Sequence, residues 1–170
     1  MDNLKHFSLP LYGMKNGIHT FTFELNSLFF KEFEQSLIKK GNFNAEVKVE
    51  KGNNLVVMHS EIKGFMETNC DRCLANINLP LMSSNSIHVK TGDPLESDDE
   101  ILYIDEESDS IHIAAWLYES IHVSIPMTKV YNCLDDEVKP CSTEVLHYLE
   151  REMNSEKDYQ SPNIFKNIKL

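Results

Sequence analysis

Residues 42 to 92 alternate between apolar and polar side chains almost without a break, and a period of two over that length leaves few folds open. In NFNAEVKVEKGNN (42–54), Phe43, Ala45, Val47 and Val49 face one way, and KGNN at its end is turn chemistry. LVVMHSEIKGFMET (55–68) follows as the second arm of a hairpin. LANINLPLMSSNSIHVKTG (74–92) then resumes the alternation through Ile77, Leu79, Leu81, Ile87 and Val89. Strand, turn and strand follow one another with no room for crossover helices, which predicts an antiparallel meander.

The flanks add further elements. GIHTFTFEL (17–25) alternates with His19, Phe21, Phe23 and Leu25 on one face, the pattern of another strand. Asn26 can cap a helix over 27–40, where Phe29, Phe30, Phe33 and Leu37 have helical spacing and Lys39, Lys40 and Gly41 mark an end. The spacing of Ile113, Leu117 and Ile121, with Trp116, predicts a helix over 109–126, opened by Asp109 or Ser110 and stopped by Pro126. Ser142 or Thr143 opens a second amphipathic helix carrying Val145, Leu146 and Leu149. The expected fold class is α+β, a mostly antiparallel β-sheet meander with two to three packed helices. A chain of 170 residues is enough for one domain. It divides into an N-terminal lead-in (1–16) whose Leu4, Phe7, Leu9 and Leu11 can dock, a single domain (17–153) with an acidic loop at 91–110, and a C-terminal tail (154–170).

Charge separates the two halves. Residues 1 to 92 hold 10 Lys or Arg against 9 Asp or Glu, whereas 93 to 170 hold 6 against 18. TGDPLESDDEILYIDEESDS (91–110) has nine acids and no base. Such a surface repels a phosphate backbone and attracts basic protein, so RNA contact through the acidic half is excluded and any basic face belongs to the first half. No apolar run approaches the roughly 18 residues of a spanning helix. The N-terminus lacks a basic start followed by an apolar stretch, so the expected location is cytoplasmic, with no membrane partner.

Cys70 and Cys73 form a Cys-x-x-Cys pair, and Cys133 and Cys141 lie close together 60 residues later. Four thiolates in two local pairs suit a structural zinc site, although the second spacing is wider than the usual two to four residues. A thiol oxidoreductase needs its pair at a helix N-terminus, and here the pair leads into a strand. Small reduced thiols buried at a turn are the plain alternative to both. A disulfide is disfavoured in a cytosolic chain. The seven histidines are scattered, no nucleotide-binding, serine-hydrolase or zincin motif is present, and the acids cluster where water keeps their pKa values ordinary. Neither an enzyme nor a small-molecule substrate is expected.

CDRCL (Cys70, Arg72, Cys73, Leu74) after a strand resembles the Cys-x-Arg-Cys-Leu mark of the bacterial YceD family. WLYESIHVSIPM is similar to that family's second block, with Glu119 and Pro126 at matching positions. Cys141 falls where the family often has a cysteine, and Pro162 and Phe165 echo its C-terminal ending. Tyr131 and Asn132 stand where members often have a histidine, and Cys133 is particular to this branch. The resemblance implies a non-catalytic cytoplasmic factor in large-subunit ribosomal RNA accumulation, an acidic adaptor whose partners are basic ribosomal or assembly proteins. A zinc-stabilised interaction module and a thiol oxidoreductase are the two rival readings.

Overall fold

The computed structural model describes residues 4–158 except 12, 54, 98–99, 106–107 and 132–139, with the backbone alone for 152–158. In chain order it runs β1 (Ser8–Leu9), β2 (Gly17–Asn26), α1 (Ser27–Lys31), β3 (Gly41–Lys51), β4 (Val56–Asn69) and β5 (Asn76–Thr91), then β6 (Ile101–Ile104), β7 (Ile111–His112), α2 (Ala114–Val123) and α3 (Thr143–Asp158). Five strands form one sheet in the order β2-β3-β4-β5-β6, and β1 pairs with β7 in a small second sheet. Pairings from β2 to β5 are all antiparallel, so the α+β meander is as expected.

The alternation decides what the sheet buries. Phe43, Ala45, Val47 and Val49 of β3 share one face of the sheet with Met58, Ile62 and Met66 of β4 and Ile77, Leu79, Leu81, Ile87 and Val89 of β5, all buried. Leu25, Phe29 and Phe30, with Ile113, Leu117 and Ile121, complete the core from above. Each large side chain withdrawn in this way contributes about 1.5–3 kcal/mol. The opposite face of the sheet, with Asn42, Asn44, His59, Lys63 and Phe65, is exposed.

Three departures from expectation have local causes. The helix foreseen over 27–40 stops at Lys31. Beyond it Ser36 Oγ exchanges hydrogen bonds with the backbone of Ile38, and the Leu37 N–H donates to His122 Nε2 at 3.3 Å. These side-chain partners take amides a helix would have used, so Ile38 is buried and Leu37 is 68% exposed. The helix foreseen over 109–126 begins only at Ala114, because Ile111 and His112 pair with Leu9 and Ser8. That pairing docks the lead-in, with Phe7, Leu9 and Leu11 buried. Finally, the acidic segment contains a strand. β6 runs parallel to the last residues of β5, and their overlap is only His88–Thr91 against Ile101–Ile104, short enough for a return without a long crossover.

Candidate functional site

β4 and β5 meet at the turn made by Cys70, Asp71, Arg72, Cys73 and Leu74. The turn closes on itself, since the Cys70 N–H donates to the Ala75 carbonyl and the Leu74 N–H to the Cys70 carbonyl, both at 2.8 Å. Leu74 takes φ +58, alone among the described non-glycine residues in the left-handed region, while its side chain is 72% exposed. That conformation costs about 1–2 kcal/mol in a residue with a Cβ. It lets both cysteines point inward, where Cys70 is 0% and Cys73 1% exposed.

The thiols of Cys70 and Cys73 are free. Burial pushes the Cys70 thiol up, but the backbone N–H groups of Cys73 and Arg72, the Cys73 thiol and the Arg72 charge together push it further down, leaving it below the ordinary thiol value. Aimed donors of this kind stabilise a thiolate. No helix dipole contributes, because the turn lies between two strands.

Two contacts tie this turn to later parts of the chain. Asp71 is bonded to the backbone of Lys129, in the segment that follows α2. Arg72 Nη2 lies 3.9 Å from Sγ of Cys141, which is buried just before α3 and is disulfide-bonded. That bond corrects the expectation that a disulfide is disfavoured, and it removes Cys141 as a thiolate of the four-cysteine zinc site. The first block read from the sequence therefore meets the chain just after the second. Glu119 is exposed on α2, and Pro126 is exposed in the segment leading to Lys129. Cys133, Pro162 and Phe165 lie outside the described residues. Among the described residues no group of three or more His, Cys, Asp or Glu side chains is placed to hold a metal ion.

His112 and His122, both within the helix expected over 109–126, serve the scaffold. His112 lies in β7, not in a helix, with Nδ1 2.8 Å from Ser8 Oγ. His122 Nδ1 donates to the Tyr118 carbonyl at 2.8 Å, which leaves Nε2 as the acceptor for Leu37.

A second feature is acidic. β6 fixes the middle of the acidic segment to the sheet, with Asp93, Glu96, Glu100, Asp105 and Asp109 exposed around it. Ser97 Oγ accepts the Tyr103 N–H at 2.9 Å, and the Gly92 N–H reaches the Ile104 carbonyl at 3.0 Å. No helix among the described residues is long and apolar enough to cross a membrane. Compared with known proteins, residues 58–169 match the family described as Large ribosomal RNA subunit accumulation protein YceD, from β4 to near the C-terminus. No curated protein and no solved structure matches the chain.

Proposed function

Since this chain belongs to the YceD family of large ribosomal RNA subunit accumulation proteins, we propose that it serves that accumulation as a non-catalytic, cytoplasmic adaptor for basic ribosomal or assembly proteins. The observation that carries the adaptor reading is the acidic edge. Nine acids without a base fall in residues 91 to 110, and β6, in the middle of that segment, pairs with the end of β5. An ordered cluster of one sign attracts a cationic partner at lower entropic cost than a free loop does.

The test neutralises that edge without removing the strand. Asp93→Asn, Glu96→Gln, Asp105→Asn and Asp109→Asn together are expected to abolish salt-sensitive capture of purified basic ribosomal proteins and to lower large-subunit ribosomal RNA in cells carrying only the variant. Capture and RNA levels unchanged by the four substitutions sink the adaptor reading.

A further inference from the structure

One corner of the sheet is basic, and it is built from three separated pieces of chain. Lys31 at the end of α1, Lys39 and Lys40 ahead of β3, and Asn42 and Phe65 on the exposed face surround a cleft of about 550 Å³, with Glu67 the one acid in its wall. Glu67 lies 3.5 Å from Lys40 Nζ. Lys31 and Lys39 are exposed, and neither is in an ion pair among the described residues. Phe65 is 38% exposed and pairs across strands with Asn42 on one side and Pro80 on the other. This ring lies beside the lysines and across the strand from an amide.

The acidic half does not cancel this field. β6 joins the sheet at His88–Thr91, beside the Val56 end of β4, while the cleft opens at the Met66 end. Ten residues of strand between these ends, at about 3.3 Å each, separate the two regions by roughly 30 Å. That is several Debye lengths of about 8 Å at physiological salt.

We infer that this cleft binds unpaired RNA, with Lys31, Lys39 and Lys40 on successive phosphates and a base stacked on Phe65. The inference rests on the ribosomal RNA role and deepens it. The three lysines lie ahead of the matched residues 58–169, so the contact belongs to this chain's own first half. Cation pairs alone would suit an acidic peptide equally, but a ring beside them with an amide across the strand suits a nucleobase, since every base has a face to stack. A duplex would hide those faces.

The full chain is titrated, by fluorescence anisotropy, against a short unstructured RNA, the same RNA as a duplex, and polyglutamate. The single strand is expected to bind at least about tenfold more tightly than either competitor. Three phosphate contacts on a single strand give a slope of log affinity against log salt of about −2, and Lys31→Ala with Lys39→Ala flattens it by about 1.4. Phe65→Ala and Phe65→Leu each weaken binding about 5- to 100-fold with the slope kept, whereas Phe65→Tyr restores it. The leucine variant keeps an apolar strand residue, so its loss reports stacking and not folding. Equal binding of polyglutamate or duplex, or affinity indifferent to the lysine pair, overturns the cleft. The acidic-edge variant is expected to bind RNA normally. RNA binding lost from the lysine variant, with ribosomal RNA unaffected by any variant, therefore sinks the cellular role and keeps the cleft. A ribosomal RNA defect in the acidic-edge variant, with no lysine-dependent RNA binding, does the reverse.

Discussion

Asp71 and Lys129 hold each other through the backbone of Lys129 and both the backbone and the carboxylate of Asp71. The Asp71 N–H donates to the Lys129 carbonyl at 2.8 Å, and the Lys129 N–H donates to Asp71 Oδ2 at 2.6 Å. The side-chain pair adds little, since Lys129 Nζ lies 4.0 Å from Oδ1 with both groups about a third exposed. A residue of the Cys-x-x-Cys turn thus fixes the path of the chain after α2. Asp71→Ala is expected to cost about 1–2 kcal/mol, while Lys129→Ala, which keeps both backbone groups, costs less than about 0.5. Urea denaturation of the two variants checks the asymmetry. Equal losses would mean that the ion pair, not the bonding to the Lys129 backbone, makes the joint.

His122 makes a second joint between distant segments. Its Nε2 accepts the Leu37 N–H, and its ring packs at a tilt of 36° against Tyr118 at 3.9 Å, itself stacked on Phe33 at 3.9 Å. His122→Phe keeps the ring and removes the acceptor, an expected loss of about 1 kcal/mol. His122→Ala removes both and is expected to lose about 2–3 kcal/mol. Thermal unfolding of the two variants separates the hydrogen bond from the ring packing, and equal losses would assign the whole effect to the bond.

Gly64 sits where the sheet is tightest. A Cβ there would lie 2.2 Å from the Asn42 carbonyl oxygen and 2.6 Å from Phe43 Cα, both backbone atoms that cannot yield without moving β3. Gly64→Ala is expected to destabilise by about 3 kcal/mol or more. At Gly13 nothing lies within 4 Å of an added Cβ and φ is not left-handed, so Gly13→Ala is expected to be neutral or slightly stabilising. A soluble Gly64→Ala protein with unchanged unfolding midpoint would refute the close approach of β3 and β4.

The long strands were legible because burial on one face imposes a period of two that nothing local disturbs. Phe43 to Val49 and Ile77 to Val89 read directly. Short elements were not, because their partners decide them. Ile111 and His112 carry a helical pattern and become strand only because Ser8 and Leu9 lie opposite. Leu37 has the right spacing for a buried helix face, yet Ser36 and His122 draw its backbone out of the ladder. The Cys70–Cys73 turn was visible as a motif, but its tie to Lys129 joins the Asp71 amide and carboxylate to the Lys129 backbone, a partner that no residue pattern encodes. The basic cleft was hidden for a different reason. Lys31, Lys39, Lys40 and Phe65 are scattered through a near-neutral half, and only the β3–β4 register gathers them. The adjacent Lys39 and Lys40, with Phe65 on the outward parity of its strand, were the available signal.

Cys70 yields a pH dependence with a definite sign. Its thiol is held below the ordinary value even though burial opposes this, because N–H groups of Cys73 and Arg72, the Cys73 thiol and the Arg72 charge outweigh the burial. An acidic group whose pKa falls on folding adds stability that is fully present above its unfolded pKa, about 8.5 for a thiol, and is lost as the pH drops through the folded value. In reducing buffer the urea midpoint of the native chain is therefore expected to gain more between about pH 7 and pH 8.5 than that of Cys70→Ala. Parallel pH profiles would deny the donors their effect. Reactivity is a separate matter, because a thiolate that reagents cannot reach is stable without being nucleophilic in practice. With Cys70 at 0% and Cys73 at 1% exposure, iodoacetamide is expected to label both only as fast as the chain unfolds. Metal analysis of the same sample separates the rest. About one zinc per chain, with stability lost on chelation, would make the lowered thiol a prepared ligand. Rapid labelling of folded, metal-free protein at neutral pH would instead show that the turn opens, and would return the pair to thiol–disulfide chemistry.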